Sequence, residues 1–245
     1  MKKVLNYQLS TMWSYYVAII ACYFFVIVLG GFIFFVSAGS SNGQSSGLEM
    51  MAFIMAFVVF VSGYGENARF AMQNGSTRKA VFQATMLNLV INCAGLSLVT
   101  QIGTLINGVV SQSGGTLFAG LSTLVYGVDQ GLTAAIFTNF VFTFAVMAAS
   151  GIFGIFLAVI FARLGKNGRV ILAICVPVFI FVVLPIIISY LAMNAPDFML
   201  GVAEFLHTVL GLKSGNPFIG SLSFMIGAAI VGILAYLVNR KMEIK

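Results

Sequence analysis

The sequence predicts an all-α membrane protein with six transmembrane helices, and three observations carry that prediction. Hydrophobic residues make up 60% of the 245 positions and charged residues only 7%, whereas soluble domains carry about 25% charged residues. The apolar residues form unbroken runs, which is typical of membrane-spanning helices, and the short alternating segments of a membrane β-barrel are not found. The basic residues fall almost entirely on one side of these runs.

The apolar runs predict where the six spans lie. They cover residues 15–37, 48–64, 82–106, 133–162, 169–193 and 217–238. Since about 20 helical residues cross the hydrocarbon core, the second span is short and the fourth is long. Lys2 and Lys3 before an apolar run suggest a signal peptide, but the run is too long for one, so we interpret it as an uncleaved first span. The chain is predicted to be a single transmembrane domain, residues 1–245.

The basic residues predict the orientation of the spans. All twelve lysines and arginines except Lys213 lie before span one, between spans two and three, between span four and the first residue of span five, or after span six. The positive-inside rule therefore places these segments and both chain termini in the cytoplasm. The membrane is expected to be the cell (plasma) membrane. An odd number of spans would scramble this separation. The net charge of +6 is accordingly interpreted as a topology signal, and no nucleic-acid partner is expected.

Three segments outside the spans also have helical patterns. Residues 2–16 carry an apolar face and a basic polar face, which predicts a helix lying on the membrane surface; a segment ordered only by the adjacent span is the alternative. On the outer side, residues 107–132 contain an apolar stretch, LFAGLSTLVYG, that is shorter than a span, and the residues between Pro196 and Pro217 form an apolar helical stripe. We expect outer re-entrant helices there, with helices lying flat on the surface as the alternative.

The sequence offers little catalytic chemistry. It has no GxxxxGK[ST] phosphate-binding loop, and its single histidine, His207, has no second ligand nearby for a metal. We therefore predict no catalytic residue, bound cofactor or metal site. Ser150 lies among small residues that are better explained as a close helix-packing face. Glu49 and Asp129 fall at span ends, so no ionisable residue is expected near a midplane, where such residues usually mark ion or proton pathways.

Uncharged polar residues cluster on one face of each of spans three and four. Such a face can line a transport pathway, or it can join helices through hydrogen bonds of ~1 kcal/mol each. The pattern leaves both interpretations open, and helix packing is favoured. The residues concerned are Thr85, Asn88, Asn92, Asn139 and Thr143.

The connection between spans two and three has the strongest local pattern. A short helix is predicted from Glu66 to Asn74, ended by Gly75 in the left-handed conformation. Ser76 is then expected to cap the next helix. Two short helices meeting at a glycine would present a mixed polar and apolar face for docking onto a soluble partner; a plain hairpin is the alternative. The predicted docking residues are Glu66, Asn67, Arg69, Phe70, Met72, Gln73, Asn74, Arg78 and Lys79.

The same connection carries a family resemblance. With NGSTRK at residues 74–79, the chain resembles the permeases of bacterial type II ABC exporters of the small six-span kind, in which this loop often reads like NGxSRK. The resemblance covers nearly the whole chain in topology. It implies a coupling helix that docks on a separate ABC ATPase subunit, a dimer of identical or different permeases surrounded by membrane lipids, and ATP and Mg held by the ATPase alone.

The resemblance also implies an activity. We expect export of an amphipathic substrate, for which a small peptide or toxin is the preferred candidate. A non-transporting membrane scaffold or sensor subunit is the alternative, and an intramembrane enzyme is favoured least.

Overall fold

The computed structural model describes residues 4–10, 17, 47–111, 120–127, 132–164, 168, 175 and 178–240. This part of the chain is helical and contains no β-strand, which confirms the predicted all-α class. Residues 4–10 form α1. The other helices are α2 (Gly47–Gln73), α3 (Arg78–Ser111), α4 (Leu121–Tyr126), α5 (Leu132–Arg163), α6 (Leu184–Asn194), α7 (Pro196–Val209) and α8 (Pro217–Arg240).

Several of these helices could cross a membrane. Three described helices are long and apolar enough, namely Arg78–Leu105, Leu132–Arg163 and Pro217–Arg240, and the bent pair α6 and α7 makes a fourth if it is counted as one span. They correspond to predicted spans three, four and six. Predicted span 48–64 lies within α2 and is helical. Predicted span 15–37, apart from Val17, lies outside the described residues, as does part of span 169–193, so the count of six stays a prediction.

Helix α5 is the centre of the bundle and packs against α2, α3, α4 and α8. Small residues on α5 let α2 approach closely, because a Cβ on Gly154 would stand 2.8 Å from the carbonyl oxygen of Phe57. One turn earlier, the Ser150 hydroxyl donates to the carbonyl oxygen of Phe53 at 3.3 Å. The predicted packing face is confirmed, and the serine hydroxyl is bonded within it.

The contacts between helices also fix their relative directions. Along α5, Asn139 meets Glu49 and Ser150 meets Phe53, so α2 and α5 run parallel. Helix α3 returns through the turn at residues 74–77 and is antiparallel to both. Helix α8 is parallel to α2, since the Tyr64 hydroxyl near the end of α2 donates to Asn239 near the end of α8 at 2.9 Å. We call the end with this turn the hairpin end and the opposite end the α4 end.

These directions bear on the predicted topology. Helix α5 finishes at the hairpin end, whereas α8 begins at the α4 end. Predicted span five would supply the crossing between these two ends. Residues 4–10 and Asn239 both lie at the hairpin end, which is the arrangement expected when an even number of spans separates the termini.

Helices α6 and α7 form a hook with little contact to the bundle. Their axes are bent by 119° at Ala195, which precedes Pro196 and is therefore biased away from the helical conformation. A π-helical turn, Phe179–Val183, comes directly before α6, where Pro185 lacks the backbone donor of a regular helix. The predicted helix between Pro196 and Pro217 is confirmed as α7, and its apolar residues are exposed, for example Phe205 at 65%.

Candidate functional site

The α2–α3 hairpin is longer than the sequence suggests. Helix α2 runs without a break from Gly47 to Gln73, so the prediction of a separate short helix from Glu66 to Asn74 is wrong. The residues around Gly65 are small or compatible with a helix, so the helix continues through them. The 27 residues of α2 measure about 40 Å at 1.5 Å each, whereas a hydrocarbon core is about 30 Å thick. If α2 spans the membrane, its last turns project beyond it as a rigid stalk.

The end of α2 is defined by a glycine, as predicted. Gly75 has φ +76°, a conformation that residues with a Cβ rarely adopt. Its N–H donates to the carbonyl of Met72 at 3.0 Å, and the N–H of Ser76 donates to the carbonyl of Ala71 at 3.0 Å. These two bonds make a Schellman motif, which satisfies the last carbonyls of the helix. The turn is therefore a fixed structure.

The start of α3 differs from the prediction by one residue. The side-chain oxygen of Thr77 accepts from the N–H of Ala80 at 3.3 Å, and the carbonyl of Thr77 accepts from the N–H of Val81 at 3.0 Å. Thr77 is thus the N-cap, and the assignment of Ser76 to that role is wrong. Ser76 is occupied instead in the Schellman motif, so the hydroxyl residue that follows it takes the cap position.

Most of the predicted docking residues are on the surface of this hairpin. The buried exception is Asn67, which is 6% exposed, while Met72 is half-buried. Both lie on the side of α2 that faces the bundle. Residues exposed at the turn and on its flanks are Glu66, Arg69, Phe70, Gln73, Asn74, Arg78 and Lys79.

Helix α1 packs against the base of the hairpin. The ring of Tyr7 stacks on that of Phe70, with centroids 4.2 Å apart, and the Gln8 amide donates to the hydroxyl of Thr85 at 3.0 Å. Val4 is buried, whereas the predicted polar position Asn6 is exposed. Residues 4–10, the described part of the predicted surface helix, therefore pack against α2 and α3. This packing leaves the ring of Phe70 only partly accessible to a partner.

The predicted polar face residues of α3 and α5 are all buried, at 5% exposure or less. Thr85 bonds to α1 as above. The Asn92 amide donates to the side-chain oxygen of Asn88 at 2.6 Å within α3. Asn139 bonds to α2, whereas the hydroxyl of Thr143 has no hydrogen-bond partner within the described residues. The contacts of Thr85 and Asn139 between helices support the helix-packing interpretation for those two.

One ionisable residue is placed where the sequence did not suggest it. Glu49 lies in the first turn of α2, as expected, but its side chain is 1% exposed and points into the bundle. One carboxylate oxygen accepts from the amide of Asn139 at 2.7 Å and from the hydroxyl of Thr104 at 3.5 Å. The other accepts from the backbone N–H of Leu121 at 2.6 Å. The carboxylate is thus surrounded by donors from three other helices.

Glu49 and Asn139 together hold the short helix α4. While Glu49 accepts from the first residue of α4, the side-chain oxygen of Asn139 accepts from the N–H of Ser122 at 2.9 Å. These two N–H groups have no partner within the helix itself. The preceding residue must be Gly120, because any Cβ there would overlap the side chain of Asn139. These two polar side chains, which belong to α2 and α5, therefore cap the N-terminus of α4.

The other end of α4 is fixed to the hook. The hydroxyl of Tyr126 donates to the carbonyl oxygen of Leu210 at 2.7 Å, just beyond the end of α7. The Tyr126 ring packs edge-on against Phe142 of α5, with centroids 5.5 Å apart. Partial burial raises the pKa of this phenol, so it remains a donor at neutral pH. Helix α4 therefore joins α2 and α5 to the α7–α8 corner.

Comparison with known proteins adds no family assignment. No protein-family profile, curated protein or solved structure matches this chain. The hairpin offers an exposed, basic and rigid surface, whereas the Glu49 site is closed and fully bonded.

The Glu49 site was missed because its parts are far apart in sequence. The sequence places Glu49 only at the end of a span, and Asn139 among several polar residues in span four. The available signal was that both lie near the same predicted membrane depth, with a Gly-rich outer segment between them in the chain. Only the packing of α2 on α5 brings them together.

Proposed function

We propose that this chain is the transmembrane permease subunit of an ATP-driven exporter that works with a separate ATPase subunit. The observation that carries the proposal is the α2–α3 hairpin, a rigid stalk with an exposed basic tip. Movement can be transmitted through it, because α2 is unbroken from the Glu49 site to Gln73 and its end is held by two backbone hydrogen bonds. An internal hinge between the predicted short helix and span two would have weakened that coupling.

The chemistry of the tip suits a soluble protein partner. Arg69, Gln73 and Arg78 are exposed around the turn, and arginine is among the residues that contribute most at protein interfaces. In the predicted orientation this surface faces the cytoplasm, where ATP is available. An ATPase subunit with a complementary acidic or polar cleft would supply the energy, along with bound ATP and Mg.

The substrate proposal is an amphipathic molecule, with a small peptide or toxin preferred. The bundle supports it because the buried carboxylate of Glu49 is satisfied by donors of the bundle itself. A pathway without a free charge suits an apolar or amphipathic substrate better than an ion. A second permease copy or a paralogue would complete the pathway, as the resemblance implies.

The proposal is tested by measuring coupling in the assembled transporter. The chain is co-expressed with the ABC ATPase subunit encoded nearest to it, and ATPase activity is measured in proteoliposomes. The variants Arg69→Ala, Gln73→Ala and Arg78→Ala are expected to weaken binding of the ATPase subunit, by about 30-fold or more for each arginine if it behaves as an interface hot spot of at least about 2 kcal/mol. Arg163→Ala is the matched control, because this exposed arginine lies at the same end but outside the hairpin.

Two results would contradict the proposal. The first is an ATPase subunit that does not bind the chain, and the second is a set of hairpin variants that bind and couple like the Arg163→Ala control. A complex that forms through the hairpin but moves no peptide in vesicles would support the scaffold or sensor alternative instead.

A further inference from the structure

A cavity of about 470 Å³ opens at the hairpin end between the start of α3 and the end of α8. It lies on the flank of the hairpin rather than at its tip. One wall is closed by the rings of Phe82 and Tyr236, whose centroids are 5.4 Å apart. Its lining is formed by Lys79, Phe82, Gln83, Met86, Leu87 and Tyr236. Lys79 is also one of the predicted docking residues, whereas the other five lining residues belong to neither the docking tip nor the Glu49 site.

The lining changes from charged to apolar along the helix. Lys79, Gln83 and Leu87 follow one another at intervals of four residues, so they lie one above the other on the same face of α3. From Lys79 to Leu87 the helix rises about 12 Å. The cavity therefore has an ammonium group at one end, an amide next to it and apolar side chains at the other end, its base, where Leu87 is 42% exposed. A ligand that fits this order has an anionic head and an apolar tail.

We propose that this cavity binds one anionic phospholipid, with its phosphate at Lys79 and its upper acyl chain against Met86 and Leu87. Among the described residues that line the cavity, none carries a carboxylate that would neutralise Lys79. A zwitterionic lipid would bring a second positive charge to the same place. Basic pockets between helices on the cytoplasmic side of a membrane are suited to anionic headgroups. The apolar base of the cavity disfavours a soluble phosphate compound.

The surrounding charge favours the same ligand. Arg78, Arg163 and Arg240 are also exposed at this end of the bundle, so an anion approaching the cavity meets a positive field. This inference needs only that the hairpin end borders a membrane surface. It does not depend on the proposed partnership with an ATPase.

The first experiment measures lipid binding to the purified full-length chain in neutral detergent. Phosphatidylglycerol or phosphatidylcholine is added, and retention is measured by native mass spectrometry. Phosphatidylglycerol is expected to bind more tightly to the wild type. Lys79→Ala should lose about fivefold in affinity, since one lysine near an anionic surface contributes about 1 kcal/mol. Arg78→Ala is the matched control and should lose clearly less affinity, because Arg78 contributes to the surrounding positive field but does not line the cavity.

A second variant tests the position of the acyl chain and does not remove the lysine. In Leu87→Trp, the new indole lies at the base of the cavity, and lipids brominated near the top of the acyl chain should quench its fluorescence. Brominated phosphatidylglycerol should quench it more strongly than brominated phosphatidylcholine. The wild type, whose single tryptophan is Trp13, gives the background. Soluble glycerol phosphate is tested as a competitor.

Three results would overturn the proposal. One is equal binding of the two lipids, and another is an equal loss in Arg78→Ala and Lys79→Ala, which would indicate diffuse surface charge. The third is full competition by glycerol phosphate, which would identify a soluble phosphate compound as the ligand. None of these measurements contains an ATPase subunit, so their failure is separate from a failure of the exporter proposal.

Discussion

Replacing Glu49 by glutamine is the sharpest test of how α4 is held. The carboxylate accepts on both oxygens, from Leu121 and from Asn139, whereas an amide presents one acceptor and one donor group. If the oxygen of the introduced amide accepts from Leu121, its nitrogen faces the amide nitrogen of Asn139. Turning the Asn139 amide gives no relief, because its oxygen is needed by the N–H of Ser122. Every orientation leaves two donors facing each other.

The size of the effect follows from these hydrogen bonds. A bond to a charged group contributes about 1.5–3 kcal/mol, and a buried donor left without an acceptor costs about 1–3 kcal/mol. We expect Glu49→Gln to weaken the docking of α4 by about 2–4 kcal/mol. Because about 1.4 kcal/mol changes an equilibrium constant tenfold, the population with α4 undocked rises by about 30-fold to several hundredfold. The long contact from Thr104 adds little, because its hydroxyl also donates to the carbonyl of Thr100 at 2.9 Å.

The double variant Glu49→Gln with Asn139→Asp should restore docking. The carboxylate then stands at position 139, where one oxygen accepts from Ser122 and the other from the amide nitrogen introduced at position 49. The oxygen of that introduced amide remains free to accept from Leu121. All donors are satisfied again without any change in side-chain size. Rescue by this exchange separates a hydrogen-bond effect from a general loss of stability.

Docking is measured by the reactivity of a cysteine introduced at Ser122, which is 3% exposed. The three native cysteines are first replaced by alanine. A membrane-impermeant thiol reagent should label the cysteine at position 122 slowly in the otherwise unchanged chain, much faster with Glu49→Gln, and slowly again in the double variant. Labelling of the single variant at the unchanged rate would refute the reasoning, as would a double variant that reacts as fast as the single.

Two further predictions concern glycines, and both are checked by thermal unfolding in detergent. Gly154→Ala should destabilise the chain by roughly 1–3 kcal/mol, because its Cβ would press on the carbonyl of Phe57 in a close-packed contact. Gly227→Ala is the control, because the space around Gly227 is open. Equal midpoints of thermal unfolding for these two variants would contradict the prediction. Gly75→Ala should cost about 1–2 kcal/mol through its positive φ alone, since no atom lies near its Cβ, and Gly75→Asn should cost less. Gly65→Ala should be neutral or stabilising, because that glycine lies inside α2 with nothing near its Cβ. If Gly75→Ala matched Gly65→Ala, the assignment of the turn would be wrong.

The sequence predicted the helical character and the main breaks of the chain well. Long apolar runs select helices because a helix satisfies its own backbone hydrogen bonds, and this information is local. Gly75 was likewise predictable, since a left-handed helix end strongly favours glycine. The cap was missed by one residue, at Thr77 rather than Ser76, because two neighbouring hydroxyl residues offered the same local signal. The continuity of α2 past Glu66 was missed because the predicted span ends with its apolar run at residue 64, so the polar helix that follows is predicted as a separate element.

What the sequence determined by itself is therefore the class of the protein: an apolar, helical chain whose basic residues lie to one side of its predicted spans. These properties depend on composition and on neighbours along the chain. The tertiary structure alone decided that Glu49 is buried, that it joins Asn139 in holding α4, and that Lys79 faces a cavity beside Tyr236. Such residues are far apart in the sequence, and only the packing of α2, α3, α5 and α8 determines which polar groups meet.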